Sequence, residues 1–241
     1  MDALVFGVLL ATSFGASFIT VALGIGGGAL LLAIMASLVP PAALIPVHGV
    51  IQLGSNAGRV ALLFNHIFWQ ALPAFVGGSI LGSILGGLVV VELSPAVVQI
   101  GVGAFVIWTV ISRPPGWLRR WPAVTGAVSS FLTMFFGATG LFVASFTKSL
   151  TLPRHSHVAT HGALMTIQHM LKVFVFGVLG FAFSEWAVFI LAMILSGGAG
   201  TIAGRQLLNR MNDAGFKTAL NIVLVLISLR LIWAGLQSAV S

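Results

Sequence analysis

The chain has 241 residues, of which 59% are hydrophobic and only 6% charged, and it contains no cysteine. A soluble domain of this length is about one quarter charged, so this surface belongs in lipid, and the absence of thiols excludes disulfides, thiolate catalysis, iron–sulfur clusters and covalent haem. The net charge of +7, from 11 Lys and Arg against 4 Asp and Glu, reads as basic loops holding the cytoplasmic side of a multi-pass protein rather than as a nucleic-acid footprint.

Backbone exposed to lipid must satisfy its own hydrogen bonds, which leaves helices or a closed barrel. The apolar stretches here are continuous rather than alternating, which selects helices. In chain order the sequence predicts helical segments over about residues 3–23, 27–38, 43–64, 68–91 and 95–112, then 122–136, 141–150, 155–179, 185–208 and 214–237. Met1-Asp2 lacks the basic start of a signal peptide, so the first segment is expected to be retained. Segments 27–38 and 141–150 are too short to span a ~30 Å hydrocarbon core at ~1.5 Å per residue. Each follows a glycine break. Each is therefore a half-helix of a re-entrant hairpin or a tilted, partly unwound span.

The two sets of five segments repeat. Gly24-Ile25-Gly26-Gly27, Pro40, His48-Gly49 and Arg59 are followed 113 positions later by Gly137-Ala138-Thr139-Gly140, Pro153, His161-Gly162 and Lys172. Overall identity at that offset is low. The weight lies in the kind of residue that matches, since glycine, proline and histidine at one register mark backbone breaks and a polar position. Farther on, Gly82 and Gly86 fit Gly200 and Gly204 at an offset of 118, so the second half carries about five extra residues.

Basic residues set the topology. Arg113, Arg119 and Arg120, then Lys148 and Arg154, then Arg205, Arg210 and Lys217 share the cytoplasmic side if the paired segments at each glycine break go in and return. Glu92 and Glu185 then lie outside, with both termini. The expected architecture is an all-α polytopic membrane protein, one transmembrane domain over 1–241. Repeat one is 3–112, a cytoplasmic loop is 113–121, and an inverted repeat two is 122–237.

Segment 43–64 carries one polar stripe, His48, Gln52, Ser55 and Arg59, at i, i+4, i+7 and i+11, flanked by Asn56. Segment 155–179 carries His161, Gln168 and Lys172 on the matching face, flanked by His169, with Met165 in place of the glutamine. A membrane cation costs several kcal/mol (roughly) unless it snorkels or finds a partner. Snorkelling is a live alternative, since Arg59 is about five residues from the inner end of its segment. The four acids, Asp2, Glu92, Glu185 and Asp213, all fall at segment ends. Neither Arg59 nor Lys172 has an internal carboxylate to pair with, which suggests that the missing negative charge is the cargo. The breaks at Gly26, Gly27 and Gly140 precede short helices, whose free N–H groups suit an anion. The glycines at 82–87 and 196–200 read as packing positions. His157 and His161 have helical metal spacing, but no Cys or nearby carboxylate completes a set, so no metal and no cofactor are expected. His48 and His161 would bond the cargo, carry a proton, or tie helices together. Trp69, Trp108, Trp117, Trp121, Trp186 and Trp233 fall near segment ends as interfacial anchors.

The GIGGG break at Gly24–Gly28, the Pro40-Pro41 pair, the stretch HGVIQLGSNAGRVALLF from His48 to Phe64 and its degenerate second copy resemble the TauE/SafE family of sulfite exporter-like membrane proteins. The resemblance covers nearly the whole chain. It implies export or import of a small anion, often sulfite or an organosulfonate, across the bacterial plasma membrane, with about eight spans. The resulting expectation is a secondary carrier, not an enzyme, for a small oxyanion or sulfonate. It would work by alternating access, with Arg59 and Lys172 for charge and Gln52, Ser55, Asn56, Gln168 and His169 for orientation. Its partners would be the anion, the bilayer and no nucleic acid, and a homo-oligomer is compatible with the sequence. An anion channel lined by the same residues and an intramembrane metal-dependent enzyme are the rival readings.

Overall fold

The computed structural model describes residues 2–23, 26–90, 94–112, 120–137, 139–207 and 214–240. Gly24, Ile25, Glu92, Arg113, Trp117, Arg119, Ala138, Arg210 and Asp213 lie outside the described residues, as does the side chain of Lys217. The described residues form ten α-helices and contain no strand. These are α1 Ala3–Leu23, α2 Gly27–Leu38, α3 Pro41–Leu63, α4 Leu72–Val89, α5 Pro95–Ile111, α6 Pro122–Phe136, α7 Gly140–Ser149, α8 Arg154–Val178, α9 Ala187–Leu207 and α10 Ala214–Val240.

Proline marks four of the starts. Pro41, Pro73, Pro95 and Pro122 sit in the first turns of α3, α4, α5 and α6, where a missing N–H costs nothing and φ is already helical. Ser94 adds a cap to α5 by accepting a hydrogen bond from the Val97 N–H at 3.4 Å. The fourth segment differs from its expected bounds. Trp69–Ala71 form a separate 3-10 turn and the α-helix begins at Leu72, next to Pro73. Phe183–Trp186 likewise form a 3-10 turn before α9.

Small residues set how the helices meet. Gly78 and Gly82 of α4 lie against Ala123 and Ala127 of α6, and Gly200 and Gly204 of α9 lie against Phe14 and Phe18 of α1. The constant register makes each pair parallel. A methyl group at any of these glycines would run into a backbone carbonyl of the neighbour, so the close approach depends on their having none. Gly103 of α5 faces Ile232 of α10 while Gly235 of α10 faces Ile100 of α5, an antiparallel crossing.

The helices at the centre are α3 and α8. They also cross antiparallel, with Gly49 against Lys172 near one end and Gly162 against Arg59 near the other. Leu32, Met35, Val47, Ile51, Val102 and Val106 form part of the buried apolar core around them. Leu88, Ile111, Val178 and Val188 instead point outward and are largely exposed, as a lipid-facing surface requires. Ala3–Ala22, Trp69–Val89, Phe183–Gln206 and Asn221–Ala239 are long and apolar enough to cross a membrane.

Candidate functional site

The two glycine breaks place two helix N-termini near the central crossing. Gly26 caps α2 with φ 102°, and Gly137 ends α6 with φ 70°. Both backbones lie in the left-handed region that favours glycine. Neither α2 nor α7 has a side-chain cap or an acidic residue in its first turn. The first-turn N–H groups are therefore unclaimed by side chains and carry the positive end of the helix dipole.

Two histidines fix these termini. The Nε2–H of His48 donates to the Gly28 carbonyl at 3.1 Å, and the Nε2–H of His161 donates to the Gly140 carbonyl at 3.2 Å. Each bond joins a short helix to the long one that follows it. A second pair of ties runs from α3 and α8 to the helices before the breaks. The Ser55 and Ser17 hydroxyls meet at 2.9 Å, and Gln168 Nε2 donates to the Ser129 carbonyl at 2.8 Å and to Thr139 Oγ1 at 2.6 Å.

Arg59 is 2% exposed and Lys172 0%, so neither head reaches the outer surface. Arg59 donates through Nη1 to Asn56 Oδ1 at 2.9 Å, and Asn56 Nδ2 donates to the Gln52 carbonyl at 2.7 Å. This chain holds the guanidinium in place. Its Nε has no hydrogen-bond partner, and neither does Lys172 Nζ.

A cavity of about 240 Å³ lies between the two N-termini. Its polar wall is made by Arg59, Gln52, Asn56, His161 and His169, with Gly26 and Gly28 from the first break and Gly137 and Gly140 from the second. Its apolar wall includes Val110, Leu141, Met165 and Leu224. A methyl group at Gly28 would collide with the Gln52 amide, so that amide lies directly on the first turn of α2. At an effective dielectric near 20, a unit negative charge ~4 Å from the guanidinium would gain about 4 kcal/mol.

Of the residues singled out from sequence, Arg59, Gln52, Asn56, His161, His169, Gly26 and Gly140 line the cavity. His48, Ser55, Gln168 and Lys172 lie behind its wall, and all are buried. Gly27 is turned to α1, where a methyl group would meet the Ala16 carbonyl. Among the described residues no three of His, Asp and Glu come together as a metal site would require. Thr20, Thr109 and Asn221 are cavity residues that the sequence reading did not single out. Asn221 is one of several polar residues on α10, with Ser228 and Arg230 among them, so spacing alone does not single it out.

Fold and site together define a multi-pass helical membrane protein with an internal cavity that presents a buried cation and two helix N-termini. The family model described as sulfite exporter TauE/SafE matches residues 9–231, and the chain belongs to that family of membrane transporters. No curated protein and no solved structure matched the chain in the corresponding comparisons.

Proposed function

We propose that the protein is a secondary carrier that exports a small oxyanion or sulfonate, such as sulfite, across the bacterial plasma membrane. The observation that carries this reading is Arg59. A guanidinium 2% exposed, with a free Nε, faces a cavity between two uncapped helix N-termini. Everything on that polar wall is a cation, a neutral dipole or a backbone N–H. An anion would supply what the wall lacks.

Alternating access between two inverted repeats, 3–112 and 122–237, is the mechanism we infer. Equivalent helices cross antiparallel, α3 with α8 and α5 with α10, while α1 runs parallel to α9 and α4 to α6. These directions are those of repeats related by an axis in the membrane plane. The seam beyond the cavity is closed, since His48, Gln168 and Lys172 are wholly buried. That favours a carrier over an open pore. Export fits the inside-negative potential, which drives an anion outward by ~2.3 kcal/mol per charge per 100 mV.

Sulfite flux from proteoliposomes tests the proposal. We expect saturable flux that follows an imposed potential and is stimulated by sulfite on the opposite side. Flux that rises linearly with concentration and shows no such stimulation would assign a channel instead.

A further inference from the structure

We infer that the chain holds a second, occluded anion position behind the cavity, bounded by Lys172, His48 and His169, and that cargo passes between the two positions along the α3–α8 seam. This rests on the reading of the Arg59 cavity as the first position.

The three side chains share an unmet need. Lys172 Nζ, His48 Nδ1 and both ring nitrogens of His169 are buried and have no hydrogen-bond partner. Lys172 and His48 are 0% exposed and His169 1%. They are also neighbours. The His48 and His169 rings meet edge to face with centroids 6.2 Å apart, and the Lys172 head packs on Gly49, the residue next to His48, where a methyl group would stand 3.5 Å from Nζ. Burying one polar group without a partner is costly. Three neighbours left so, one of them an amine, describe a place made for a guest. An oxyanion brings the negative charge and several acceptor oxygens, and one that carries a proton, such as hydrogensulfite, could also donate to His48 Nδ1.

The repeat supports the same assignment. Asn56 and Arg59 correspond to His169 and Lys172 at the offset of 113. Each pair is a cation with a polar flank three residues before it, on one helical face. Both members of the first pair line the cavity, whereas Lys172 of the second does not. His169 belongs to both places, because it lines the cavity and touches His48. It therefore stands at the passage between the two positions.

Selenite is the probe, because its selenium scatters X-rays anomalously. Crystals of the full chain soaked in selenite should show selenium beside Arg59 and beside Lys172, and beside Arg59 alone in Lys172→Gln. In solution, Lys172→Gln should bind one sulfite per chain where the unaltered protein binds two, while its sulfite flux falls by about tenfold or more. Lys172→Arg should restore part of the flux. Selenium beside Arg59 alone in the unaltered protein overturns the second position, as does undiminished flux in Lys172→Gln. The selenium positions in the unaltered protein decide the matter even if the variant does not fold. A different result, no selenium beside Arg59 with unchanged sulfite binding in Arg59→Gln, would remove the first position and the reading beneath this one.

Discussion

Arg59 of α3 rests on Gly162 of α8, and Lys172 of α8 rests on Gly49 of α3. Each cation of one repeat thus lies over the glycine that follows the repeated histidine of the other. The two contacts are not equally tight. A methyl group at Gly162 would stand 3.5 Å from Arg59 Cδ, an ordinary contact, while one at Gly49 would stand 2.7 Å from Lys172 Cε.

That difference gives the first prediction. Gly49→Ala must displace the Lys172 head and should lower sulfite flux by about fivefold or more, whereas Gly162→Ala should stay within about twofold. Proteoliposome flux of the two variants, side by side, checks it. Equal effects would mean that the Lys172 position does not matter.

The second prediction concerns the histidine ties. His48 holds the first turn of α2 through the Gly28 carbonyl. His48→Ala should loosen that N-terminus, costing about 1 kcal/mol or more, and should weaken sulfite binding. His48→Gln can donate an amide N–H to the same carbonyl and should bind closer to the unaltered protein. Isothermal titration of both variants would expose a purely proton-carrying role if Gln were as damaging as Ala.

The third prediction separates packing glycines from lipid-facing ones. Gly82 meets the Ala127 backbone, and Gly77 meets nothing within 4 Å. Gly82→Val should destabilise the α4–α6 pair by about 1–3 kcal/mol. Gly77→Ala should be neutral or stabilise by about 0.5–1 kcal/mol through helix propensity. Melting of the purified variants in detergent reads both, and a neutral Gly82→Val would contradict the close crossing.

The fourth prediction concerns topology. With no native cysteine, Ser238→Cys near the exposed end of α10 is a clean reporter. It should react with an impermeant maleimide in intact cells, since the positive-inside rule places the C-terminal end outside. Labelling only after the cells are opened would contradict the inverted arrangement.

Much of this was legible in the residues. Glycine and proline punctuate the chain, so α1, α2 and α6 begin and end where the Gly24–Gly28 break, Pro122 and Gly137 imply. Pro73 marks the start of α4 in the same way, and a segment predicted from residue 68 runs past that mark and takes in the 3-10 turn Trp69–Ala71. Arg59 and Gly26 stood out because a membrane cation and a glycine break are costly features that need a reason. Thr109 and Asn221 did not, because their place in the wall depends on how α5 and α10 approach α3, and spacing along the chain carries no distance between helices. The polar stripe of α3 brings Gln52 and Arg59, with the flanking Asn56, to one cavity, while His48 and Ser55 of the same stripe lie off its lining. On α8 the stripe could not divide His169 at the cavity from Lys172 behind it, because spacing along the helix does not say which part of its face meets the cavity.

The most direct test of the central claim is equilibrium binding of sulfite to the purified protein and to Arg59→Gln. A buried charge–charge contact is worth at least ~1.4 kcal/mol in a site of this kind. The account therefore predicts saturable binding by the unaltered protein and a loss of about tenfold or more in the variant, with its melting temperature maintained. Identical affinity in the two proteins would contradict it, because the guanidinium would then not be the group that holds the anion.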